Sequence, residues 1–338
     1  MTEDLQGVRY LGRSSVEVTR LGFGGAPLGN LFSVVAEQAA EQALDAAWLA
    51  GWRYFDTAPL YGHGLGERRV GSYLKTKPRD AYSLSTKVGR LLVEQDTKVD
   101  GGAYVDVPNA APVYDYSHDG VLRSVEASLT RLGVGRIDVL LIHDIDRFTH
   151  GDEQPRRFKE AMDGAYPALA DLRAQGVIGA IGLGVNEWQV CEAVARVADI
   201  DCVLLAGRYT LLEQEPLANF LPFCQEKSIS VIAGGVFNSG ILATGPKPCA
   251  YYNYAPAPPK ILERASALER VCRAHCVPLA AAALRFPLAH PSVAGVVVGA
   301  RTAGEVRSNQ DLLARPIPPA LWADLKAERL IAAAAPTS

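Results

Sequence analysis

The chain has 338 residues, 49% of them apolar, and a formal net charge of -3 from 34 basic and 37 acidic side chains. Such a length can bury a large core, either as one barrel or as two smaller domains. Acids and bases are scattered along it, which leaves no basic stripe for nucleic acid and no polybasic patch for a membrane, so a small neutral or polar substrate is the expected partner. The first residues lack a basic segment followed by an apolar one, and no apolar run approaches the roughly 20 residues that span a bilayer. A cytoplasmic location is therefore expected. The cysteines at 191, 202, 224, 249, 272 and 276 include no Cys-x-x-Cys and are expected as reduced, mostly buried thiols. Cys272, His275 and Cys276 share one predicted helix with no second ligand group, and no metal site is expected.

Residues up to 17 predict a plug or hairpin ahead of the first long strand. Apolar, β-branched runs then predict strands at 20–24, 53–57, 82–86, 138–142, 178–183, 202–206, 229–233 and 293–298. Helical spacing of apolar residues predicts helices at 36–50, 118–132, 166–175, 187–197 and 217–227. Gly51 and Gly176 stop two of these helices just before a strand. The strands are continuously apolar, which implies burial on both faces. Eight β/α units in one chain of this length predict an α/β fold, a closed (β/α)8 TIM barrel forming one domain over 1–338. Long loops near 91–117, 145–165 and 244–259 follow strands, on the face where this fold builds its sites. Their aromatics Tyr114, Tyr116, Tyr251, Tyr252 and Tyr254 are the expected pocket walls.

Asp56 ends the second strand and Tyr61 follows in its loop. Lys87 ends the third strand and His143 the fourth, so all four are expected at one mouth of the barrel. A carboxylate, a phenol and an ammonium together can form a proton-transfer unit, because a nearby cation favours phenolate and a carboxylate holds that cation. Together with 21–25, 62–71, 138–144, 182–188 and 298–309, these residues resemble the aldo-keto reductase family over nearly the whole chain. The resemblance implies that Asp56, Tyr61, Lys87 and His143 are catalytic. Tyr61 would move the substrate proton as hydride passes to or from a nicotinamide, Lys87 would favour its phenolate, Asp56 would anchor Lys87, and His143 would orient the substrate oxygen.

The resemblance also implies that Asn186 holds the carboxamide and Tyr209 stacks on the ring, with Ala206 in place of the usual Gln. The chain lacks the Rossmann glycine fingerprint. Pyrophosphate contacts are instead expected from Gly24, Gly25 and the loop containing Gly235, Phe237, Asn238 and Gly240. The helix N-terminus from Thr302 onward offers a second anion site, and Gly299, Arg301, Glu305 and Asn309 complete the cofactor set. Where NADP-preferring relatives carry basic residues, Gly299 and Glu305 stand here, which implies that NAD is preferred; Arg301 and Arg307 leave NADP possible.

Residues 54–71 look most like the aldose 1-dehydrogenase branch, which includes L-fucose, D-threo-aldose and L-galactose dehydrogenases. That branch implies oxidation of the anomeric hydroxyl of a sugar to a lactone, with His63, Tyr116, Asp144 and Asp146 as candidate partners for the sugar hydroxyls. Gly66 departs from the Ser found in many relatives. A pyridoxal 4-dehydrogenase shares the same motifs and is the alternative enzyme, with general aldehyde reduction behind it. A nicotinamide-binding, redox-sensing accessory protein is the reading from another class, opposed by the complete Asp56, Tyr61, Lys87 and His143 set. Oligomeric state is not legible.

Overall fold

The computed structural model describes residues 7–337. Its centre is a closed barrel of β1 (Leu21–Gly24), β2 (Tyr54–Asp56), β3 (Ser83–Val88), β4 (Val139–His143), β5 (Ala180–Val185), β6 (Cys202–Ala206), β7 (Ser230–Gly234) and β8 (Val293–Gly299). Each strand pairs in parallel with the next, and β8 closes on β1. All residues of β2, β4 and β5 are buried, as strands covered on both faces require. Around the barrel lie helices that include α1 (Glu37–Leu49), α2 (Leu65–Leu74), α3 (His118–Leu132), α4 (Tyr166–Ala174), α5 (Trp188–Ala195), α6 (Phe220–Lys227), α7 (Leu279–Arg285) and α8 (Ala303–Ala314).

Local chemistry sets several boundaries. Ser117 caps α3 by accepting the Gly120 N–H at 3.1 Å, and Gly133 ends that helix in the left-handed region at φ 64°. Gly51, two residues beyond α1, sits at φ 86°. The opening segment is an antiparallel hairpin, Val8–Tyr10 with Glu17–Thr19. Leu11, Val16 and Val18 bury against Tyr54, Val139, Leu141 and Ile232 inside the barrel, so the hairpin plugs one end of it.

Three segments differ from the sequence expectation. In 91–117 an antiparallel hairpin forms, Arg90–Glu94 with Ala110–Tyr114. The segment 145–165, expected as a loop, is largely helical: Gln154–Glu160 continues through one wide turn, Ala161–Ala165, into α4. Gly164 sits in that turn, where an added Cβ would lie 2.5 Å from the Tyr116 carbonyl. Most clearly, α2 was not expected, because its buried face mixes Val70, Tyr73 and Leu74 with the charged Glu67 and Arg69. Glu67 accepts the Thr86 hydroxyl at 2.6 Å, and Arg69 donates to Leu28 O at 2.7 Å and Asn30 Oδ1 at 2.9 Å. No described helix is long and apolar enough to cross a membrane.

Candidate active site

Asp56, the last residue of β2, is 2% exposed and Lys87, in β3, is 1% exposed. The Lys87 ammonium donates to Asp56 Oδ2 at 2.7 Å, to Asp56 Oδ1 at 3.0 Å and to the Thr57 carbonyl at 2.8 Å. Ser85 adds a 2.7 Å hydrogen bond to Asp56 Oδ1. Two buried charges are thus paired and their hydrogen-bonding capacity is filled, the condition under which such a pair is tolerated. The three ammonium hydrogens are matched by these three acceptors, and Lys87 meets Tyr61 through the ring face, 4.6 Å from its centroid.

Tyr61 stands in the loop after β2, half-buried, with its ring 6.2 Å from Tyr104 and 6.2 Å from His143, the latter edge-on. Burial, followed by the charge of Asp56, pushes its phenol well above the ordinary range. Burial and the Asp56 carboxylate thus favour the protonated phenol at rest, while the Lys87 cation under the ring face favours its ionised form. His143 ends β4 and is 6% exposed. Burial first, then the charges of Arg90 and Lys87, hold its imidazole well below the usual range, so it is neutral at physiological pH.

Beside Tyr61 opens a cavity of about 1290 Å³ including its mouth. Asp56, Tyr61 and Asn186 line one part; Gly24, Gly235, Phe237, Asn238, Gly240, Gly299 and Arg301 line the rest, together with Phe32 and Tyr254. The tip of the 90–114 hairpin folds over this mouth, where the Phe32 N–H donates to Ala103 O at 2.8 Å and the Val105 N–H to Asn30 O at 3.1 Å.

Several expected site residues have other work. The Gly25 N–H donates to Asp56 O at 2.7 Å and is not free for a phosphate. Tyr209 is 1% exposed and packs on Phe286 and His290, off the cavity wall. His63 is buried beneath the hairpin and also off the wall. Tyr116 donates its hydroxyl to the His143 carbonyl at 2.7 Å, which fixes the end of β4. Asp146 caps the turn Arg147–His150 and accepts the Asn186 N–H at 2.6 Å. Asp144 is held in an ion pair with Arg90 at 2.7 Å. Asn309 is buried within α8, outside the cavity lining. Glu305 sits in the first turn of α8: its N–H donates to the N-cap Thr302 Oγ1 at 3.2 Å, and its carboxylate accepts the Arg301 N–H at 2.7 Å. Of the expected wall aromatics only Tyr254 lines the cavity. Arg90, Tyr104 and Phe32 were not anticipated; the one signal for Arg90 is a lone charge interrupting the apolar run 88–93.

Residues 20–328 match the Aldo/keto reductase family. The chain belongs to the aldo-keto reductase family. It is 42% identical to pyridoxal 4-dehydrogenase of Microbacterium luteolum over 335 residues, covering 96% of this chain and 97% of that protein. To D-threo-aldose 1-dehydrogenase of a Pseudomonas species it is 40% identical over 324 residues, covering 94% and 96%. A solved aldo-keto reductase of Bacillus halodurans, in its holo form, superposes with a TM-score of 0.74 at 26% identity, covering 97% of each chain. This aldo-keto reductase is thus an oxidoreductase acting on CH–OH groups with a nicotinamide cofactor.

The cavity fits such a group. Its wall is rich in glycine, and at Gly240 an added Cβ would meet nothing within 4 Å, so the space beside that backbone is open. Asn238, 3% exposed and lining the cavity, has a side-chain oxygen with no partner among the described residues. Asn186, Asn238 and Arg301 offer the amides and the cation that an amide-bearing, anionic dinucleotide requires.

Proposed function

We propose that this enzyme oxidises the anomeric hydroxyl of an aldose, or the equivalent hydroxyl of another cyclic hemiacetal, to a lactone. The observation that carries this reading is the placement of the Tyr61 phenol at the cavity, over the buried Lys87–Asp56 pair and edge-on to a neutral His143. A bound nicotinamide supplies the hydride acceptor. In oxidation the ionised Tyr61 oxygen takes the hydroxyl proton as the C–H bond breaks and becomes a phenol, and in the reverse direction the phenol gives that proton back. Lys87 stabilises the negative charge that the phenol oxygen carries before it accepts the proton in oxidation and gains as it donates in reduction, and Asp56 keeps Lys87 in place. His143, lacking charge of its own, holds the substrate oxygen by a ring nitrogen. Asn186 and Asn238 hold the cofactor amide and its neighbours.

The cavity lining favours pyridoxal as a second reading. Pyridoxal closes on its own hydroxymethyl group as a cyclic hemiacetal, so its oxidation also gives a lactone. The four residues expected to meet sugar hydroxyls all lie off the wall, whereas Phe32, Tyr61 and Tyr254 present aromatic surface suited to a flat ring. Nicotinamide absorbance should be followed with NAD and NADP separately against L-fucose, D-arabinose, L-galactose, L-glucose and pyridoxal. Lactone from a sugar supports the aldose reading, and lactone from pyridoxal alone supports the second. Silence with all of them overturns the lactone-forming assignment.

NAD is the proposed cofactor. The carboxylate of Glu305 already accepts the Arg301 N–H at the start of α8, so an anion brought to that helix start would find one backbone donor taken and a like charge beside it. Glu305→Gln keeps the capping geometry and removes the charge. Because this carboxylate is exposed and screened, the kcat/KM ratio of NADP to NAD should rise by about tenfold at most. An unchanged ratio, or wild-type efficiency with NADP equal to that with NAD, would refute the preference.

A further inference from the structure

The hairpin after β3 begins at a tight turn. Gly89 sits at φ 103°, and a Cβ there would come within 2.2 Å of the Tyr116 ring, so only glycine fits. The side chain that follows, Arg90, is 6% exposed. Its Nη2 donates to Asp144 Oδ2 at 2.7 Å and to the Tyr114 hydroxyl at 3.2 Å, and its guanidinium lies 4.7 Å from the centre of the Tyr114 ring. Asp144 in turn touches two residues of the proposed site: its Oδ2 is 3.5 Å from His143 Nε2, and its Oδ1 is 3.5 Å from the Asn186 amide nitrogen. One buried carboxylate thus bridges the imidazole and the cavity-lining amide, and one buried cation answers it.

Left alone, a carboxylate at that distance would draw a proton onto the neighbouring imidazole or onto itself, since burial disfavours the bare charge. Beyond burial, the other groups around His143 supply less of the balance than Arg90 does. The Lys87 charge is matched by Asp56, burial keeps Tyr61 and Tyr104 protonated, the Tyr116 hydroxyl bonds the His143 and Asp144 carbonyls and lies 3.3 Å from His150 Nε2, and Asp146 adds a further negative charge behind Asp144. We propose, on the footing of the dehydrogenase reading above, that Arg90 is a positioning residue, its ion pair with Asp144 holding that carboxylate against His143 and Asn186 and balancing its charge so that the imidazole stays neutral. Arg90 is also among the charges that push the His143 imidazole down.

The test uses the full-length protein without cofactor, following the His143 ring nitrogens by NMR from about pH 5 to about pH 9. Wild type should show no titration. In Arg90→Met the Asp144 and His143 pair should take up one proton in that range and titrate as a unit. Turnover should fall about tenfold or more at the acid end, with the gap closing as pH rises. Arg90→Lys, the second variant, keeps the cation and should restore a silent His143 and most of kcat. The assignment is overturned by an Arg90→Met protein whose His143 is silent and whose pH profile parallels wild type. A folded lysine variant as impaired as the methionine one, or whose His143 titrates, overturns it too. The titration needs no substrate, so it decides on Arg90 even if the substrate panel fails.

Discussion

Replacing Tyr61 with Phe is expected to lower turnover about a hundredfold or more while leaving cofactor affinity nearly unchanged. The change removes one oxygen. The ring keeps its contacts with Tyr104 and His143 and its place over Lys87, so the cavity holds its shape. Steady-state kcat together with a fluorescence titration of the cofactor checks both halves, and near-wild-type turnover would remove Tyr61 from the chemistry. The same phenol sets the pH dependence of the wild type. Oxidation needs its oxygen to accept a proton, and burial raises the phenol well above its ordinary range. Oxidative turnover should therefore keep rising with pH through the neutral range into the alkaline one. Reduction uses the protonated phenol, already present, and should be flat there. His143 is neutral throughout and contributes no step on the acid side.

The strands were legible because parallel strands buried on both faces are unbroken apolar runs. The run predicted at 138–142 is observed one residue later, at Val139–His143. Helix α3 has the predicted bounds because its cap and its stop are single residues, Ser117 and Gly133. Helix α2 was hidden, since its buried charges are answered by residues distant in the chain, and no local pattern announces such pairs. The same limit applies to the site. That Asp56 and His143 end their strands follows from where apolar runs stop. Which polar residues face the cavity depends on partners across the barrel: Tyr116 reaches the His143 carbonyl, Arg90 reaches Asp144, and Asn186 is tied to Asp146. His63 and Tyr209 are polar in sequence, yet their surroundings turn them into core residues. Only packing in three dimensions separates a polar residue that serves a substrate from one that serves a neighbouring strand.

Lys87→Met should show the two roles of the buried pair as separable effects. Removing the ammonium leaves Asp56 buried with Ser85 as its remaining side-chain partner, and stranding one member of such a pair costs about 3–5 kcal/mol. A lower melting temperature is therefore expected whatever the catalytic role. Turnover at neutral pH should also fall, about a hundredfold or more, because nothing then stabilises charge on the phenol oxygen. Activity should partly return at high pH, where solvent removes the proton that Lys87 no longer helps to displace. The double variant Lys87→Met/Asp56→Asn resolves the two effects. Without a stranded carboxylate it should regain most of the lost stability, while turnover at neutral pH stays low. A double variant that recovers turnover together with its melting temperature would mean that Lys87 only holds the barrel mouth together. A pH profile parallel to wild type in the single variant would mean that the ammonium does not act on the phenol at all.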